Sequence, residues 1–144
     1  MSCLSPVYVK VYGEQESFSR ALGFAYDALV HAGIPFDANA AWTALSERIS
    51  QGIYMGEGLL LPHTRILGLK EPLMAFAVCP AGFTGINTRA NELAQFICLL
   101  LSPTESATAH TVTIANMAKL LLDAEWKAKA LSAKTDADVK ALFA

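Results

Sequence analysis

Residues 94–101 read AQFICLLL, and the fold turns on whether they form a strand or a helix. Periodicity alone cannot decide, because an apolar run buried on all sides looks the same in either state. Helix is the rival reading for 93–101. Phe96 and Ile97, aromatic and β-branched, favour a strand, and Pro103 just beyond is a poor helix continuation. Two more runs have the same character: GLLLP at 58–62 and LMAFAV at 73–78. Each is short, apolar and bounded by turn residues, as expected of strands covered on both faces.

Outward from this middle, the pattern changes. In PVYVKVY (6–12), Val7, Val9 and Val11 alternate with Tyr8, Lys10 and Tyr12, which predicts a strand. Residues 15–32 place Phe18, Ala21, Leu22, Ala25, Leu29 and Val30 on one helical face, with Gly33 and Pro35 as a stop. Asp37 caps a second predicted helix over 38–50, with Ala41, Trp42, Leu45 and Ile49 inward. From about 105 to 143 the chain is rich in alanine and leucine at helical spacing, punctuated at Asp123 and at 132–136 into three helices. The order is strand, two helices, three or four strands, then helices. It predicts the α/β class: a three-layer α/β/α sandwich with a central mixed sheet of four to five strands, one domain over residues 1–144.

Composition narrows the function classes. The 144 residues are 53% hydrophobic and 17% charged, with a net charge of −2, so nothing points to nucleic acid or an anionic membrane surface. Mean hydropathy is positive, yet no run approaches the ~20 apolar residues of a spanning helix. The N-terminus lacks the pattern of a signal peptide, so a cytoplasmic protein is expected. Cys3, Cys79 and Cys98 are odd in number and widely spaced, against a disulfide framework. Cys79 and Cys98 are expected to be buried free thiols and Cys3 to be exposed.

Three histidines carry the candidate chemistry. His31 ends the first helix, where a cation is favourable, so a structural role suffices. His63 follows an apolar strand through Pro62, whose ring restricts the chain on both sides, and strand ends in α/β folds collect ligands. His110 falls in the first turns of a predicted helix, where backbone N–H groups can receive an anion. On spacing alone a structural role has a slight edge for His63 and a large one for His31. There is no HExxH, no GxSxG and no GxxxxGK[ST], which argues against zinc hydrolysis, a serine hydrolase and nucleotide hydrolysis. No metal is expected.

The segment YMGEGLLLPHTR (54–65) resembles the active-site segment of the phosphoenolpyruvate:sugar phosphotransferase system (PTS) enzyme IIA proteins of the fructose–mannitol class, which includes the nitrogen-regulatory IIA proteins. The resemblance continues through EPLMAFAV, FICLLLSP and a second histidine, His110, 47 positions after the first. It implies that His63 accepts a phosphoryl group from phospho-HPr and passes it to a IIB protein, or that its phosphorylation state controls a regulatory target. His110 would orient and stabilise charge. Glu57 matches an acidic residue of mannitol-type members. There are departures: by strict count Glu47 stands where the family has an arginine that reaches the phosphate, Arg48 is one position off and could serve as that phosphate contact only with a small helix shift, and Ile53 replaces the customary threonine. They leave room for a regulator or a phosphorylation-dead scaffold.

The chemistry is coherent without the family. A neutral imidazole is nucleophilic near pH 7, and phosphoryl transfer needs chiefly positioning and charge stabilisation. No cofactor is required. Arg65, two residues beyond His63 on a strand-like segment, would share its side and could contact phosphate; a solvated, partner-facing arginine is an equal alternative. No IIB or IIC segment is recognisable, so any such partner is expected to be a separate protein.

Overall fold

A computed structural model describes residues 5–105 and 107–144. Its elements are β1 (Tyr8–Val11), β2 (Glu16–Ser17), α1 (Phe18–Val30), α2 (Ala38–Ser50), β3 (Leu59–Leu60), β4 (His63–Ile66), β5 (Leu73–Val78), β6 (Phe83–Thr84), β7 (Phe96–Pro103), α3 (Ala107–Leu122), α4 (Ala124–Ser132) and α5 (Asp136–Ala141). The run at 94–103 is thus a strand, and so is 73–78.

The main sheet has the order β1-β5-β7, with β3 and β4 forming its far edge. β1 is parallel to β5, β5 antiparallel to β7, and β3 and β4 both parallel to β7, so the sheet is mixed. Period-two alternation then sorts the side chains into two cores. Ala75, Ala77, Ile97, Leu99 and Leu101 pack with Leu29 and Leu45 of α1 and α2. Met74, Phe76, Val78, Phe96, Cys98 and Leu100 pack with Met117, Leu121, Trp126 and Phe143 from the C-terminal part of the chain. Both faces of β5 and β7 are therefore buried, and each large side chain contributes roughly 1.5–3 kcal/mol of burial. This explains why those strands are apolar at every position but the last two of β7.

The helices begin where polar side chains can take up free N–H groups. Asp37 accepts from Ala40 N–H, Asp123 from Glu125 and Trp126, and Thr135 and Asp138 form a capping box on α5. α1 is shorter than its pattern predicts because Glu16–Ser17 pair with β6 in a separate two-stranded sheet, and Ser17 then caps the helix. Trp42 is not inward as expected: it is 41% exposed and lies against Tyr26, ring centroids 4.8 Å apart. Cys79 and Cys98 are buried, as expected; Cys3 lies outside the described residues. At the β1 edge, Val11 N–H donates to the Asp136 carboxylate of α5 at 2.8 Å.

Candidate functional site

β3 and β4 are two pieces of one edge strand. Leu59 lies opposite Phe96 and His63 opposite Leu100, so the register with β7 is unchanged across Leu61 and Pro62. Pro62 has no N–H to give to the ladder, but its carbonyl accepts from Leu100 N–H at 3.0 Å. His63 therefore does not stand beyond a strand end; it opens β4, at a fixed register. Leu59 and Leu61 point into the core beneath the C-terminal helices. Alternation puts His63 and Arg65 on that same face and Thr64 on the other.

The His63 ring is held by its own strand. Its Nδ1 lies 2.7 Å from the Leu61 carbonyl oxygen. A carbonyl only accepts, so Nδ1 carries the proton and Nε2 keeps its lone pair. His110, in the first turn of α3, is 7% exposed, and its Nδ1 is 2.7 Å from Ser102 Oγ. The two imidazole centroids are 5.4 Å apart with planes inclined by 37°. Burial, and then the charges of His63, Arg65 and Arg48, hold the basicity of His110 below the ordinary imidazole value. The Nε2 edge of His63 thus lies beside a second imidazole of lowered basicity, with two guanidinium groups within electrostatic range.

Arg48 belongs to the last turn of α2, and its charge reaches His110 despite the one-position offset. Glu47 and Arg48, with Ala44, Gln51 and Thr64, line an open polar cleft of about 220 Å3. Glu57 is not brought to the imidazoles. It occupies a tight turn with φ of 52° between Gly56 and Gly58, and its carboxylate meets Lys127 Nζ at 3.2 Å. From Leu59 to His63 the strand already spans roughly 13 Å. Gly58 is required there: its φ is 79°, and a Cβ would come within 3.2 Å of the Leu93 carbonyl. Ile53 is core, packed beneath α1 and α2. His31 is the C-cap of α1, its Nδ1 2.8 Å from the Asp27 carbonyl. Among the described residues, no three His, Cys, Asp or Glu side chains converge as a metal site.

Two contributors escape a reading by residue type. The Leu61 carbonyl is backbone, and Ser102 is a single serine at the end of the strand-like segment FICLLLSP. Extending the alternation of Phe96, Cys98 and Leu100 by one step would have placed Ser102 on the face of the imidazoles.

A family model described as "Phosphoenolpyruvate-dependent sugar phosphotransferase system, EIIA 2" matches residues 2–144. The chain is similar in structure to the nitrogen regulatory protein IIA-Ntr from Neisseria meningitidis, with a TM-score of 0.80 and 19% identity over 96% of this chain and 94% of that one. It is also similar to mannitol IIA from Escherichia coli, with a TM-score of 0.71 and 17% identity over 93% and 95%. A structure described as the complex of enzyme IIA and phosphorylated enzyme IIB of the E. coli mannitol system matches with a TM-score of 0.74 and 16% identity over 99% and 98%. No curated protein sequence matches at a significant level.

Proposed function

Since the chain belongs to the EIIA 2 family of the phosphoenolpyruvate-dependent sugar phosphotransferase system, we propose that it is a phosphocarrier whose acceptor atom is His63 Nε2. The observation that carries this is the Nδ1–Leu61 hydrogen bond, which commits the Nε2 lone pair to the site. In the forward step that lone pair attacks phosphorus. The His63 Nε2–P bond forms as the bond to the donor nitrogen of phospho-HPr breaks, and the donor ring leaves as imidazole. The Nδ1 proton stays on His63, so the phosphorylated ring is cationic and remains a good leaving group. His110, Arg65 and Arg48 supply donors and positive charge to the phosphoryl oxygens. The acceptor is a IIB protein, by analogy with the mannitol pair, and the exchange takes place in the cytoplasm.

A second output, phosphorylation-dependent control of a non-IIB partner, is favoured by Glu47. A carboxylate beside Arg48 opposes an incoming dianion, and slow transfer suits a protein read out by its phosphorylation state. Among the described residues no helix is long and apolar enough to cross a membrane.

Incubation with phosphoenolpyruvate, enzyme I and HPr should add one acid-labile, alkali-stable phosphoryl group. His63→Ala should abolish it, His110→Ala should slow transfer, and His31→Ala should leave it intact. Phosphorylation of His63→Ala at the wild-type level would refute the assignment. Capture of a IIB protein from the phosphorylated form supports the relay; a non-IIB partner held in one state only supports regulation.

A further inference from the structure

We propose that Ser102 is a positioning residue for phosphoryl transfer: its hydroxyl holds the His110 ring by Nδ1, keeping the Nε2 edge for the phosphoryl group on His63. The inference rests on the phosphocarrier reading of His63. Every residue of β7 is buried, and Ser102 is fully so, yet it is the one residue of that strand with a side-chain hydroxyl. Alanine would fill the position. Instead, a hydroxyl stands 2.7 Å from His110 Nδ1. Its place follows from register: Arg65 lies opposite Ser102, and His63 lies opposite Leu100 one alternation earlier. β4 and β7 thus bring His63, Arg65 and the hydroxyl to one face, under the first turn of α3.

The two imidazoles are held by chemically different partners. The carbonyl at His63 only accepts, so that ring has one tautomer. A serine hydroxyl both donates and accepts. When Nδ1 of His110 is bare, the hydroxyl donates to it and Nε2–H is free to donate to a phosphoryl oxygen. When Nδ1 is protonated, the hydroxyl turns and accepts. His110 can therefore follow the arrival and departure of a dianion by rotation of one O–H, with no movement of its ring. Ser102 forms no covalent bond and gives up no proton in the transfer. The charged and titratable groups that act on His110 are His63 and Arg65 from β4 and Arg48 from α2.

The test uses the full chain as wild type, Ser102→Ala and Ser102→Thr, with two measurements. Imidazole 15N NMR of the unphosphorylated proteins should show both ring nitrogens of His110 shifted in Ser102→Ala and its titration displaced, with the proton of His63 still on Nδ1. Phosphorylation by phosphoramidate, in which the P–N bond of the reagent breaks with release of ammonia, should slow about 10-fold in Ser102→Ala, on the order of one lost hydrogen bond. Ser102→Thr, which retains the hydroxyl, should recover both. If the alanine variant does not fold, Ser102→Cys, of similar size and a poor donor, should show the same slowing. Unchanged phosphorylation rates in the alanine or cysteine variant overturn this inference alone. A wild type that takes no phosphoryl group from phosphoramidate overturns the phosphocarrier reading, and this one with it.

Discussion

β7 and the β3–β4 edge run side by side in one unbroken register, with the same alternation of faces, and they do opposite things. β7 has a strand on each side and helices over both faces, and all eight of its residues are buried. The edge strand has a full strand on one side only; on the other, residues 53–55 touch its β3 part through the Tyr54–Leu60 bridge, and β4 has no strand partner there among the described residues. Beyond Pro62 it carries His63, Thr64 and Arg65, which are half-buried or exposed. The interior position demands apolar side chains and returns rigidity. The edge position inherits that rigidity through its ladder and can still present polar groups to an incoming molecule. Chemistry is placed where backbone geometry is fixed and side-chain solvation is not lost.

The sharpest way to break that contrast is to truncate both sides of it. Leu99→Ala, in the centre of β7, should cost about 2–5 kcal/mol in urea unfolding, because it leaves a cavity between packed layers. His63→Ala should cost less than about 1 kcal/mol while removing phosphoryl acceptance. Equal costs would mean that the edge strand is as structural as the centre.

A second measurement probes the seam between edge and interior at His110. The unfolded chain protonates this ring near ~6.5, and the folded value is lower. Between the two the unfolded state binds more protons, so stability falls as the pH drops through that window and levels off below the folded value. His110→Gln should flatten part of that decline, and Arg65→Met should narrow the window by raising the folded value. A wild type that gains stability on acidification over this range contradicts the assignment of cause.

The smallest effect is expected at the turn that starts the edge strand. Glu57→Gln removes a partly exposed ion pair with Lys127 and should cost about 0.2–1 kcal/mol, less at high salt. Phosphorylation should be unaffected, since Glu57 stands away from the imidazoles; a large loss of transfer would place Glu57 in the site after all.

The layer order and strand–helix sequence were legible because burial writes itself into composition: Phe96–Leu101 and Leu73–Val78 are apolar on both faces, and their aromatic and β-branched residues with flanking turn signals favour strands. The cap at Asp37 was legible from its side-chain type, whereas Asp123 was legible only as a break between helices and proves to be the cap of α4. The β2–β6 pair was not legible, since two residues per strand cannot display a period of two. The place of His63 within the edge strand was obscured by Pro62, which interrupts the ladder without changing the register. The pairing of His63 with Leu61 was hidden because its acceptor is backbone. Ser102 carried no signal by residue type, and its inward hydroxyl follows from the alternation of β7 carried one step past Leu100. Arg48 stood one position off by count along the chain, whereas the charge it exerts on His110 depends on distance through space.

At the other margin of the sheet, the Asp136 carboxylate receives the outward N–H of Val11. A strand from a second molecule, arriving to extend the ladder, would meet an anion already seated in a hydrogen-bonding position and the first turn of a helix beside it. Unguarded edges of this kind are where folded chains add to one another and begin to aggregate. One carboxylate at the start of α5 therefore stands as a stopper against edge-to-edge growth, on the margin of the sheet opposite His63.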